Sequence, residues 1–309
     1  MALAASHSIL ASASLITTFQ AVVLGLLQGV TELFPVSSLG HTVLFPTLFG
    51  WHNIVAWQSQ PESPWLAFVV MLHVGSAVGL LIYFWRDWIA LIRAWCATLG
   101  KRRIETSTER LAWLIVVSSI PTGILGIVLE HDVRVALAKP TAAAIFLTVN
   151  GLILIGAERL RRRPQVAALA AEGEASGHDG REMESLSYVE ATGIGVVQST
   201  ALIAGISRDG VCMTAGLLRG LDNEDAAKFA FLLATPIILA AGVFKIGDLL
   251  GHNGDGGVRR AALIAAVAAA AAAIVCVHYL VRYFRRNNLI PFGIYCLLFG
   301  VAMIIYTTV

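Results

Sequence analysis

Six stretches of about twenty residues, 66–85, 111–129, 141–159, 226–248, 261–281 and 290–308, are almost continuously apolar. The hydrocarbon core of a bilayer is about 30 Å thick and takes about 20 helical residues, so each stretch predicts a transmembrane helix. Two further stretches, 14–50 and 188–220, behave differently. Each is apolar, breaks at a polar segment containing Gly or Pro, and resumes, and neither half is long enough to cross. They predict two re-entrant helix pairs, because irregular backbone at membrane depth is tolerated only where protein buries it or water reaches it. The apolar run from Leu15 to Leu27 has no basic residue before it, which argues against a cleaved signal peptide.

The order is then a broken pair followed by three spans, twice over. The two breaks resemble each other. The first reads Gln28-Gly-Val-Thr-Glu32-Leu-Phe-Pro35-Val-Ser37-Ser38-Leu-Gly40-His41, the second Gln198-Ser-Thr-Ala-Leu202-Ile-Ala-Gly205-Ile-Ser207-Arg208-Asp209-Gly210. Aligned without a gap they match at Gln28/Gln198, Ser37/Ser207 and Gly40/Gly210, with Pro35 opposite Gly205 as helix breakers. A weaker match pairs Ala67–Gly79 with Ala230–Gly242. The predicted organisation is a first membrane repeat over 14–160, a polar, exposed linker over 161–187 and a second repeat over 188–309.

Composition agrees with a membrane protein: 57% of residues are apolar, 14% are charged and mean hydropathy is +0.75, where a soluble domain carries about 25% charged residues. The net charge of +2 says little; its distribution says more. Arg86, Arg93, Lys101, Arg102, Arg103 and Arg110 fall in one predicted loop, Arg159, Arg161, Arg162 and Arg163 open the linker, and Arg282, Arg285 and Arg286 fall in the last loop. These are placed on the cytoplasmic side, and 51–64, 130–140 and 249–260 outside. Both termini are then extracytoplasmic and the broken pairs enter from opposite faces. The expected fold is an all-α polytopic membrane protein with six transmembrane helices and two re-entrant pairs in inverted-topology repeats, whose polar breaks meet near mid-membrane. Cys96, Cys212, Cys276 and Cys296 show neither metal-ligand spacing nor a disulfide framework.

Ionisable groups inside a bilayer are costly and are read as functional. Arg208 offers a planar fork for phosphate oxygens. Ser37, Ser38 and Ser207 supply hydroxyls, and Gly40, Gly205 and Gly210 allow close backbone approach. Helices that restart after a break aim free N–H groups at an anion. Glu32 and His41 are acid/base candidates, Glu32 is also a candidate cation ligand, and Gln28 shares its helix face. Plainer roles stand beside these: Glu32 as a helix-end group, Ser37 and Ser38 as N-caps, His41 as an interior histidine. His73, beside Gly75 and Ser76 in a span, reads as a core hydrogen-bonding residue as readily as a functional one. His278, Arg219 and Lys228 are explained by snorkelling, and the Ala-rich run 265–273 by close helix packing.

The segment Gln28–His41 resembles the first signature of the undecaprenyl pyrophosphate phosphatases, the bacitracin-resistance family, and Gly205–Gly210 resembles the second. Gly216–Leu221 and Phe229–Pro236 are similar to the family as well. The resemblance implies an integral membrane hydrolase of the bacterial plasma membrane. Such an enzyme removes the terminal phosphate of a C55 isoprenoid diphosphate on the outer face, recycling the carrier for cell-wall synthesis. It implies a catalytic Ser38 and His41 and a phosphate-clamping Arg208; joined to the reading of the residues above, the expected catalytic set is Glu32, Ser38, His41 and Arg208, and the expected phosphate contacts are Ser37, Ser38, Ser207, Arg208 and Gly210. It also implies a divalent cation, Mg2+ or Ca2+, associated with Glu32 and Gln28. The implied partners are the lipid diphosphate and membrane lipid, with a homodimer admitted and no nucleic acid. The chain departs from the family at Gln28, Leu39, Ala204, Asp209 and Cys212. Asp209 sets a negative charge beside the phosphate clamp and is expected to supply the cation ligand missing at Gln28. Two nucleophiles stay open: Ser38 with His41 as base, or His41 itself oriented by Glu32. The rival from another class is a polyprenyl-phosphate flippase using the same anion site.

Overall fold

The computed structural model describes residues 16–58, 65–137, 139–171, 180–250 and 256–309. In chain order the helices are α1 (Thr18–Leu33), α2 (Ser38–Leu48), α3 (His52–Gln58), α4 (Trp65–Tyr83), α5 (Trp85–Lys101), α6 (Ser107–Leu137), α7 (Pro140–Ala171), α8 (Tyr188–Gln198), α9 (Arg208–Leu218), α10 (Asn223–Leu250), α11 (Gly256–Phe284) and α12 (Ile290–Thr308). Among the described residues, six of these are long and apolar enough to cross a membrane: α4, α6, α7, α10, α11 and α12. They coincide with the six predicted spans, and the chain is a polytopic all-α membrane protein. Side chains such as Ile124, Leu152, Phe244, Val267 and Leu298 point outward from these helices, as lipid-facing positions do.

Five connections differ from expectation. The basic stretch after Tyr83 is helix α5, not a loop. Leu91 and Thr98 are buried there, and Trp88 and Trp95 pack against the core. The spacing 88, 91, 95, 98 is one helical stripe, hidden in the sequence by the charged residues in and beside it, Arg86, Asp87 and Arg93. The expected outer loop 51–64 begins with the short helix α3, and its residues 59–64 lie outside the described residues. The other two expected outer loops, 130–140 and 249–260, are occupied in part by α6, α10 and α11, with residues 138 and 251–255 outside the described residues. The linker 161–187 is structured at both ends. Helix α7 runs to Ala171, residues 172–179 lie outside the described residues, and Met183 and Leu186 are buried. Arg181 ties this end down: its N–H donates to the Gly220 carbonyl at 2.8 Å and its guanidinium pairs with Glu190 at 3.1 Å.

Helices α1 and α8 begin alike. Thr17 and Ser187 are N-caps of full capping boxes, closed by Gln20 and Glu190. They also stop short. With 16 and 11 residues, they extend about 24 and 16 Å at 1.5 Å per residue, less than a bilayer core. Helix α1 ends because Pro35 holds Phe34 in an extended conformation, φ −68°, ψ 134°. Helix α8 tightens into a 3-10 turn, Ser199–Leu202, and the chain then turns at Gly205, φ 106°.

Helices α1 and α4 both lie on α11, the Ala-rich helix, and the sequence reading of that run as close packing holds. Side-chain-free positions make this possible. A Cβ on Gly25 or Gly75 would meet the carbonyls of Ala265 or Ala266, and one on Gly29 or Gly79 would come within 2.7 Å of Ala272 Cβ or the Ala270 carbonyl oxygen. In lipid no hydrophobic force holds helix to helix, so such contact supplies the attraction.

Two outcomes follow. Gly29→Val drives α1 off α11 and lowers stability by about 1–3 kcal/mol, read as a lower unfolding midpoint in detergent. Gly123→Val, with nothing within 4 Å of its missing Cβ, leaves the midpoint almost unchanged. Second, the Ser187 backbone N–H, and then Arg181, hold the Glu190 carboxyl down from 4.5 to about 2. A depressed carboxyl stabilises the fold above its unfolded value and loses that effect as pH falls through the folded one. Thermal stability therefore declines between about pH 4.5 and 2, and Glu190→Gln removes part of that decline, measured by circular dichroism.

Candidate active site

The two breaks meet. Glu32, in the last turn of α1, and Arg208, the first residue of α9, are 176 positions apart, yet Arg208 Nη2 donates to Glu32 Oε1 at 2.8 Å. Both are largely buried, the Arg208 side chain 12% and the Glu32 side chain 4% exposed. The other carboxylate oxygen, Oε2, accepts from Gln28 Nε2 at 2.9 Å and from the Ser38 hydroxyl. His73, from α4, brings its Nε2 to 3.3 Å from Glu32 Oε2 and 3.4 Å from Ser38 Oγ. Glu32 is thus the centre of a cluster drawn from α1, α2, α4 and α9.

The backbone around it is held by a small set of polar staples. Ser37 and Ser207 are the N-caps of α2 and α9, each accepting from the amide three residues on, Gly40 at 3.2 Å and Gly210 at 3.1 Å. That shared geometry explains why serine and glycine recur at the same spacing in both breaks. Ser37 also accepts from the Gly205 amide at 3.1 Å, directly joining the two motifs. Asn150 of α7 completes the joint: its Nδ2 donates to the Pro35 carbonyl, and its Oδ1 accepts from the Ser207 amide, both at 3.0 Å. Ser37 is non-glycine at φ 69°, a conformation that needs surrounding contacts to persist.

His41 makes a different set of contacts. It is fully buried, with Nδ1 at 2.7 Å from the Ser37 carbonyl and Nε2 at 2.8 Å from the Tyr295 hydroxyl. Its ring stacks on Tyr295 and Phe299. Among the described hydrogen bonds none joins it to Glu32 or Arg208, which are joined to each other; its own bonds tie it to the Ser37 turn beside Ser38. His41 secures the Ser37 turn, and through it Ser38. Of the expected phosphate contacts, Ser37 and Ser207 accept capping bonds through their oxygens and Gly210 donates its amide to Ser207, while Ser38 and Arg208 bond to Glu32.

Asp209 is fully buried, its Oδ1 at 3.0 Å from Arg208 Nη1. Its charge is directed at the guanidinium. Both Asp209 oxygens and Gln28 Oε1 are buried and accept no hydrogen bond. Gln198, the counterpart of Gln28, turns away: it donates to Thr122 at 3.0 Å and accepts from Cys212 at 3.2 Å. No group of three His, Cys, Asp or Glu side chains arranged to hold a metal occurs among the described residues. Of the expected cation ligands, Glu32 accepts from Arg208, Gln28 and Ser38, while Gln28 Oε1 and both Asp209 oxygens accept no hydrogen bond.

Sequence reasoning missed Asn150 and Tyr295 and undervalued His73. All three are polar side chains within predicted spans, the signal that marked Arg208. What the sequence lacked was the helix face each one presents. The assembled site offers a hydroxyl hydrogen-bonded to a carboxylate, beside a guanidinium, at the start of two helices. That set suits attack on a phosphorus atom.

A family model described as Bacitracin resistance protein BacA matches residues 21–302. The chain is 48% identical to "Undecaprenyl-diphosphatase 2" of Frankia alni, over 92% of this chain and 96% of the relative. It is 48% identical to "Undecaprenyl-diphosphatase" of Mycolicibacterium paratuberculosis, over 93% and 96%, and 41% identical to that of Acidiphilium cryptum, over 94% and 98%. On this evidence the chain belongs to the BacA, bacitracin resistance protein, family.

Proposed function

We propose that this chain hydrolyses undecaprenyl, or a similar polyprenyl, diphosphate to the monophosphate and inorganic phosphate, as the names of its relatives indicate. In this role it recycles the carrier lipid for cell-wall synthesis and confers bacitracin resistance. The observation that carries the proposal is the Ser38–Glu32–Arg208 chain of contacts. Ser38 Oγ attacks the terminal phosphorus, its proton passes to Glu32 Oε2, and the bond from that phosphorus to the bridging oxygen breaks. The lipid monophosphate leaves with the bridging oxygen. Water then attacks the phosphoserine and the Ser38 oxygen leaves phosphorus, taking back its proton from Glu32; the phosphate departs as H2PO4−, carrying the water oxygen and both its protons. Arg208 neutralises the equatorial oxygens as charge shifts, and the N-terminal ends of α2 and α9 add a positive dipole. Engagement of both His41 nitrogens favours Ser38 over His41 as nucleophile.

A divalent cation, Mg2+ or Ca2+, belongs to this proposal. Two carboxylates, Glu32 and Asp209, face one guanidinium, so with both ionised the cluster is net negative and repels a diphosphate. Gln28 Oε1 and the Asp209 carboxylate would hold the ion, with substrate phosphates completing its shell. When bound it supplies the missing positive charge at the phosphate. The broken pairs α1–α2 and α8–α9 are proposed to be re-entrant and inverted with respect to each other, in repeats 14–160 and 188–309. The enzyme is proposed to sit in the bacterial plasma membrane with its basic segments cytoplasmic and its termini outside. The isoprenoid chain lies between spans in contact with lipid.

Phosphate release by the purified protein from a long-chain polyprenyl diphosphate, with a divalent cation, tests the activity. Ser38→Ala and Arg208→Ala are expected to lower kcat/KM by at least about 100-fold. Wild-type protein that binds the lipid, releases no phosphate and moves it across vesicles would instead be a flippase. Asp209→Asn is expected to raise the cation concentration needed for half-maximal activity about tenfold. An unchanged cation requirement in folded protein removes Asp209 from the cation site.

A further inference from the structure

We infer that His73 is a positioning residue for the nucleophile, resting on the proposal above that Ser38 attacks phosphorus. Three observations carry it. Helix α4 is locked against α11 by the close approach of Gly75 to the Ala266 carbonyl and of Gly79 to Ala270, which fixes the height of His73 on the cluster. Its Nδ1 lies 2.8 Å from the Val69 carbonyl. The Val69 carbonyl takes the Nδ1 proton, which orients the ring and turns Nε2 inward. Nε2 then stands 3.4 Å from Ser38 Oγ, beside Glu32 Oε2, which already accepts the Ser38 hydroxyl.

The Ser38 proton goes to Glu32 Oε2, and the His73 ring stands on that same inner side, 3.4 Å from Oγ, so the hydroxyl is bounded there by both groups and an Oγ lone pair stays free on the outer side. A serine on a rigid helix start still rotates about χ1; a second partner on the inner side narrows that rotation. Near-attack geometry is demanding, and a misplacement of about 1 Å costs about 100-fold in rate. His73 is also the most open member of this group, its side chain 22% exposed against 4% for Glu32. It thus borders the space from which a phosphate would approach. The structure gives His41 no comparable contact, since its nitrogens serve the Ser37 carbonyl and Tyr295.

The test is steady-state kinetics of phosphate release on purified His73→Ala, His73→Leu and His73→Gln, with Ser38→Ala alongside. Loss of positioning lowers kcat about 10- to 100-fold in His73→Ala and His73→Leu, with KM within about twofold. His73→Gln, whose side-chain amide reaches the same side of the Ser38 oxygen, is expected to stay within about threefold of wild type. The apolar Leu variant suits a helix in lipid and guards against misfolding of the Ala variant; unfolding midpoints are measured for each. A kcat within twofold of wild type in both Ala and Leu variants overturns the inference. So does a Gln variant as slow as Ala, which would mark His73 as a proton carrier. Full activity in Ser38→Ala would instead remove the nucleophile on which the inference rests.

Discussion

An ion pair far from bulk water is stable only as a unit. Glu32 and Arg208 are each too costly to bury alone, and removing one partner of such a pair costs about 3–5 kcal/mol because the other is stranded. Their contact at 2.8 Å therefore holds together two segments that the rest of the chain keeps 176 positions apart. Everything distinctive about the site follows. The two breaks bring the charges to one place, and the caps and staples satisfy the backbone that the breaks expose.

Those staples show how irregular backbone survives inside an apolar protein. Ser37, Ser207 and Asn150 between them engage the amides of Gly40, Gly205, Ser207 and Gly210 and the Pro35 carbonyl. His41 belongs with this group through its bonds to the Ser37 carbonyl and Tyr295. Supporting residues outnumber reacting ones. That proportion is expected where reacting groups must be held within about half an ångström of a productive arrangement. Glycine pairs do the same work at longer range by letting α1 and α4 settle on α11, which sets Gln28, Glu32 and His73 at matching depth.

The sequence made the large features legible. Six apolar runs are unmistakable by length, and two interruptions by Pro35 and Gly205 could only be helix breaks. Glu32, Ser38 and Arg208 stood out as polar groups in apolar surroundings. Their convergence was inferred from charge placement and repeat symmetry, and hydrogen bonds between the two motifs are present. Side-chain direction was not legible. His41 and His73 are both imidazoles near small residues, and no one-dimensional pattern says which faces Glu32. Helix α5 was hidden because arginines on its outer face mask the buried stripe of Trp88, Leu91, Trp95 and Thr98. The linker ends were read as exposed because their charges dominate the composition. Buried Met183 and Leu186, and the anchoring of Arg181, depend on partners in α8 and the α9–α10 turn that sequence distance conceals.

A thermodynamic cycle on Glu32→Gln, Arg208→Gln and the double variant, by unfolding in detergent, measures the joint between the two halves most directly. Partners in contact give a coupling of about 1–3 kcal/mol, so the double variant is less destabilised than the sum of the singles. Additivity within about 0.5 kcal/mol would mean that the two motifs do not meet, and the single site built from them would not exist.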